Sequence, residues 1–270
     1  MRYILLFFLI ICAACKAQNS SPIKDRADTT TSLSHYLSAA QWNQLFPNRY
    51  GVAHLGTNSI DSGKTDFYTL DAFIKAAKKF PAFLNEGNDT AKRRELAAFL
   101  AHIAQETSGG WASAPGGNNA WGLYFKEEQG CENGCPQYSI SINKQYPPVQ
   151  GKSYHGRGPL QLSYNYHYGQ FSEAWFGDKN ILLQHPEKLS QDAVLSFASA
   201  IWFWMTPIAN KPSCHEVMTG QWKPTADDLA KGRQPGFGTT LNIINGGVEC
   251  GKQPAEKTLY RYAYYKYFCN

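Results

Sequence analysis

Two glutamates stand where acid–base chemistry would use them. Leu96, Phe99, Leu100 and Ile103 recur at offsets of zero, three, four and seven along a helical pattern, and Glu106 follows close to the same stripe. A carboxyl group beside apolar side chains is partly desolvated, which favours the protonated form that a general acid needs. Ser108-Gly109-Gly110 then ends the helix and lets a substrate come close. The plainer alternative is a glutamate turned to solvent at a helix C-terminus. Glu128, with Glu127 beside it, falls in the loop from Tyr124 to Gly130. A hydrated loop carboxylate stays ionised and suits a general base that activates water, although adjacent glutamates in loops are commonly just solvated surface. A proton donor facing such a base is what glycoside hydrolysis requires, and the separation of the two carboxyls sets its stereochemistry.

The elements that would position these groups are helical. Residues 90–107 form the first pattern, with Lys92, Arg93, Arg94 and Glu95 crowding its N-terminal part. In 191–206, Val194, Phe197, Ala198, Ile201, Trp202 and Met205 share one stripe, after the candidate cap Ser190 and before the stop at Pro207. A third helix, about 255–268, is rich in Tyr and holds Arg261. Between the first two, residues 109–160 are rich in Gly, Pro and Asn and offer only short strand candidates. A mainly α (α+β) architecture with a small β-hairpin is therefore expected.

The 270 residues, 43% of them hydrophobic, suit one catalytic domain. The net charge of +5 is scattered, with no basic stripe, so nucleic acid is not an expected partner. Gly156, Gly158 and Pro159 shape a turn rather than a phosphate cradle, because no Lys-Ser or Lys-Thr follows them.

Residues 1–17 read as a signal peptide: Met1-Arg2, an apolar run from Tyr3 to Cys12, then Ala13-Ala14. Acylation at Cys15 would tether the protein to a membrane surface as an outer-membrane or cell-surface lipoprotein, although Cys12 stands where the processing box usually has Leu. Cleavage after Ala17 would instead free a secreted protein. Residues 18–34, QNSSPIKDRADTTTSLS, carry no hydrophobic period and read as a flexible linker, with the folded unit, 35–270, starting near His35. Export permits disulfides. Cys131 and Cys135 flank a Glu-Asn-Gly turn and suit a local staple; Cys250 with Cys269 would tie back the last helix, leaving Cys214 free.

Six ordered blocks extend the argument: AHIAQETSGGW at 101–111, AWGLYFKEEQG at 120–130, YHGRGPLQLSYNYHYG at 154–169, AIWFWM at 200–205, PGFGTTLNIINGGVECG at 235–251 and YRYAYYKYFC at 260–269. Together they resemble the family 19 glycoside hydrolases, whose type members are the plant chitinases. The resemblance implies a lysozyme-like fold of two helical lobes around a substrate cleft, with a small hairpin bearing the second carboxylate. It implies inverting endo-hydrolysis with Glu106 as general acid, Glu128 rather than Glu127 as general base, and Ser163 helping to hold the attacking water. Trp121, Gln161, Tyr166, His167, Asn245 and Ser108 fall on positions lining the sugar cleft. Glu249 and Arg261 match a charged pair beside the acid; the residues alone leave Arg261 equally readable as an ordinary buried ion pair.

Four positions depart from the family pattern: Gln105 for His, Ser108 for Thr, His167 for Asn and Tyr124 for Cys. The plant disulfide pattern therefore does not carry over. The expected partner is chitin or chitooligosaccharide, handled by a monomer with no metal or cofactor. Peptidoglycan is the rival polymer, and a non-catalytic chitin-binding protein is the rival class.

Overall fold

The computed structural model describes residues 21–50, 66–251 and 256–270. In chain order its helices are α1 (Leu33–Tyr36), α2 (Ala39–Leu45), α3 (Leu70–Ala77), α4 (Asp89–Thr107), α5 (Asn165–Phe176), α6 (Asn180–Gln184), α7 (Lys188–Gln191), α8 (Ala193–Met205), α9 (Cys214–Met218), α10 (Ala226–Ala230), α11 (Phe237–Glu249) and α12 (Glu256–Phe268). None of those described is long and apolar enough to cross a membrane.

Helix α4 is the axis of the molecule. The Asn88 side chain caps it by accepting the Ala91 N–H at 2.9 Å, and Asp89 sits favourably at the positive end of the helix. From Glu95 to Ala104 every residue is buried, so the stripe read from the sequence widens into a helix enclosed on all sides. Helix α12 packs along α4, and α8 packs on α3. Between them Phe73 stacks on Phe99 at 5.5 Å and on Phe197 at 5.0 Å, while Trp204 meets Phe99 edge-on.

Burying Glu95 demands partners. Its Oε1 accepts from Trp204 Nε1 at 2.9 Å and from His215 Nδ1 at 2.7 Å. His215 Nε2 donates to Glu86 at 2.9 Å, so both ring nitrogens face carboxylates. Burial opposes a charge on that ring, but the two carboxylates outweigh it and His215 holds its proton above the ordinary histidine value.

Three expectations need correction. Residues 22–34 are no tether: Ile23 and Leu33 are buried, and both the N–H and the hydroxyl of Thr29 donate to the Lys78 carbonyl, at 3.0 and 2.7 Å. Two isolated apolar residues in a polar run show no period, which is why composition hides them. Helix α8 is capped by Asp192, which accepts the Leu195 N–H at 3.0 Å, rather than by Ser190. The small hairpin reduces, among the described residues, to single antiparallel bridges of Arg157 with Glu127 and with Leu162. Glycines at 156 and 158 and Pro159 interrupt the ladder before strands develop. Residues 1–17 and Cys15 lie outside the described residues.

Candidate active site

A cavity of about 550 Å³ opens between the C-terminal turn of α4, helices α11 and α12, and the two bridged loops at 125–129 and 160–164. Glu106 and Glu128 both line it, together with Ser108, Gln161, Ser163, His167, Asn245, Glu249 and Arg261. Positions spread over some 155 residues thus meet at one groove.

On the helical side, Glu106 is 17% exposed and accepts a hydrogen bond from Arg261 Nη2 at 2.6 Å. The same nitrogen donates to Glu249 Oε1 at 2.6 Å, and the guanidinium is almost wholly buried. Asn245 and Thr258 add bonds to Glu249 at 2.8 and 3.0 Å. Burial would raise the Glu249 pKa, yet Arg261 and these donors prevail and hold it below the usual carboxylate range. Asn245 reaches its place through a break in α11, where its φ of −140° and ψ of 26° leave the helical region.

On the loop side, Glu128 Oε1 accepts from the Tyr138 hydroxyl at 2.8 Å and Oε2 from the Gly156 N–H at 3.1 Å. Its own N–H donates to the Gly156 carbonyl at 2.8 Å, so the loop and the turn at 156 lock together. Glu127 is occupied elsewhere. It accepts from His155 Nε2 at 2.9 Å and from the Ser190 hydroxyl, and the Arg157 guanidinium lies 3.3 Å away. Burial raises its pKa, but His155, Arg157 and Ser190 together bring it down to about 2. This explains both the adjacent pair and the missing Ser190 cap: both glutamates border the cavity, but Glu127 is tied up anchoring the loop.

Ser163 Oγ donates to the Gln161 carbonyl at 2.8 Å, and Gln161, with φ of +49°, turns the chain into the cavity. His167 Nδ1 lies 3.0 Å from the Ser163 carbonyl, which only accepts, so the neutral ring carries its proton there and leaves Nε2 as an acceptor. Burial outweighs that bond and brings the His167 pKa down to about 4. The hydroxyl of Ser108 and the Gln105 amide oxygen are buried at the groove without a protein partner.

Trp121 and Tyr166 are not among the residues lining this cavity. Trp121 joins an aromatic cluster with Trp111 and Tyr124, at 4.9 and 5.2 Å, and bonds the Pro115 carbonyl. Tyr166 stacks on Tyr164 at 5.3 Å, and it is Tyr164 that lines the groove. Sequence reasoning missed Tyr138, Tyr164 and Lys257; Tyr138 sits in a Gly- and Pro-rich stretch with no period to mark it.

The Cys131–Cys135 disulfide is present. A Cys250–Cys269 bridge is not: both thiols are free. Glu249 is tied to Thr258 and Arg261, and Cys269 lies eight residues beyond Arg261, about 12 Å along the helix axis, whereas a disulfide needs Cα atoms within about 7 Å.

The family model for class I chitinases of glycoside hydrolase family 19 matches residues 50–270, and the chain belongs to that family. Its relatives include a basic endochitinase of Vitis vinifera, 43% identical over 250 residues, covering 93% of this chain and 75% of the relative. Endochitinase A2 of Pisum sativum is 44% identical over 239 residues, covering 88% and 69%. Among solved structures, a bacterial family 19 chitinase superposes with a TM-score of 0.65 at 28% identity, covering 87% of this chain and 93% of that one. Chitinase C from Streptomyces griseus gives 0.64 at 29%, covering 86% and 75%. The fold is thus the mainly helical, lysozyme-like one.

Proposed function

We propose that the chain hydrolyses β-1,4 linkages within chitin and chitooligosaccharides with inversion. Glu106 gives its proton to the leaving oxygen, and Glu128 takes one from a water that attacks the opposite face of the sugar. Ser163, beside Glu128 in the groove, helps hold that water. The observation that carries this reading is a single groove lined by two carboxylates on separate elements, Glu106 clamped by a buried guanidinium and Glu128 held by two neutral donors. Inverting enzymes keep their two carboxyls on the order of 6.5 to 9.5 Å apart to admit a water. Carriage by a helix and a separate loop permits such a gap.

Time-resolved anomer analysis of chitohexaose cleavage tests the assignment. Initial release of α-anomer is expected; β-anomer alone would mean retention and a nucleophilic Glu128. Purified sacculi in parallel decide the polymer, and faster turnover of peptidoglycan would replace chitin. The reading extends to export, with residues 1–17 as leader, Cys15 as acylation point and a monomeric catalytic unit that takes in the packed segment from Ile23 onward. Lipid labelling of the exported protein that persists in Cys15→Ala would remove Cys15 as the acylation point.

A further inference from the structure

The Arg261 guanidinium has a partner that the two glutamates do not require. Its Nη1 lies 3.0 Å from Nδ1 of His102, one turn before Glu106 on α4. His102 is fully buried, with Phe237 stacked on its ring at 4.7 Å and Trp204 at 5.9 Å. On the other side, Nε2 lies 2.9 Å from Thr240 Oγ1, and the Thr240 hydroxyl donates to the Phe237 carbonyl at 2.7 Å.

These contacts admit one arrangement of protons. A guanidinium only donates, so Nδ1 must offer a lone pair. The single hydroxyl proton of Thr240 is used on the Phe237 carbonyl, so its oxygen accepts from Nε2–H. The ring is therefore neutral and in the Nε2–H tautomer. Burial, and then the Arg261 charge, drive the His102 pKa well below the ordinary histidine value, which preserves that state as the medium acidifies. The charged groups around it are Arg261 from α12, with Glu249 of α11 and Glu106 of α4 on the far side of the guanidinium. Helix α8 and the start of α11 present the rings of Trp204 and Phe237, which do not titrate.

We infer that His102, fixed in one tautomer by Thr240, is a positioning residue that orients Arg261 and thereby aims Glu106 into the groove. The inference rests on the reading of Glu106 as proton donor. Bound to glutamates on one edge and to His102 on another, the guanidinium cannot turn. Remove the acceptor and Nη1 is left buried without a partner; Arg261 then reorients, and Glu106 loses its fixed geometry although every catalytic group is present.

The test compares His102→Phe with His102→Gln, whose amide can both accept and donate. In His102→Phe, kcat is expected to fall about 10- to 100-fold with KM nearly unchanged, and the pH–rate limb that reports the donor to move by about half a unit or more. His102→Gln should recover most of kcat and the original limb. A folded His102→Phe with unchanged kcat and pH profile overturns the inference. Should that variant fail to fold, two measurements still decide. Nitrogen NMR of the unmodified protein should show Nε2–H with a bare Nδ1 at pH 6; an Nδ1–H tautomer or an imidazolium overturns the inference. Thr240→Val should lower kcat several-fold and displace the same limb, and an unmoved profile counts against it. Persistent turnover in Glu106→Gln would sink the donor assignment instead, whatever His102 does.

Discussion

The two walls of the groove are built on opposite plans. The wall of α4, α11 and α12 holds Glu106 through a buried ionic network in which Arg261 serves two carboxylates and a histidine at once. The loop wall holds Glu128 by one phenol and one peptide N–H, on segments joined by single bridges. Charge is concentrated around Glu106, whereas Glu128 is oriented by neutral donors. Loss of the clamp on Glu106 should therefore cost both stability and rate, and loss of a single bond to Glu128 should cost rate alone.

The largest effect is expected from the carboxylates. Glu106→Gln and Glu128→Gln should each lower kcat about 10³-fold while leaving oligosaccharide binding nearly intact. Only the first should also lower Tm, because it alone replaces a carboxyl group bonded to the buried Arg261 guanidinium; equal melting temperatures would erase the contrast between the walls. Next come the holders. Arg261→Met leaves Glu249 as a buried charge without its cation and Glu106 without its clamp, and should cost about 3–5 kcal/mol, roughly 2–4 °C in Tm per kcal/mol. Tyr138→Phe should reduce kcat about tenfold through the loss of one bond to Glu128, with the melting curve unmoved.

The smallest effect is the pH dependence of folding. Glu127 and Glu249 have lowered folded-state pKa values, so their contribution is complete above the unfolded carboxylate value and lost as pH falls through the folded ones, down to about 2 for Glu127. His215 has a raised value, so its contribution is present below 6.5 and lost as pH rises through the folded value. Melting temperature against pH should decline on both sides, and His215→Gln should remove the alkaline decline and soften the acid one, because His215 holds the Glu86 pKa down.

What could be read from the sequence was local and periodic. The helix patterns at 90–107, 191–206 and 255–268 correspond to α4, α8 and α12 within two residues, because burial repeats at helical spacing and leaves a trace in the chain. Glu106 was found the same way. The network behind it was not: no local pattern shows that His102 will bond Arg261 or that Thr240 will accept the His102 Nε2 proton. Glu127 illustrates the limit, since a Glu-Glu pair in a loop looks solvated until His155, Arg157 and Ser190 are brought around it. Trp121 and Tyr166 belong to aromatic clusters next to the cavity, and only the fold decides which ring of each cluster lines it.

The clamp on Glu106 joins residues 155 positions apart. Contacts so distant close late in folding, and this one cannot exist until α12 has left the ribosome and docked. A partly synthesised chain thus carries Glu106 and Glu128 without the clamp that holds Glu106. Whatever depends on that clamp is withheld from the nascent protein by topology.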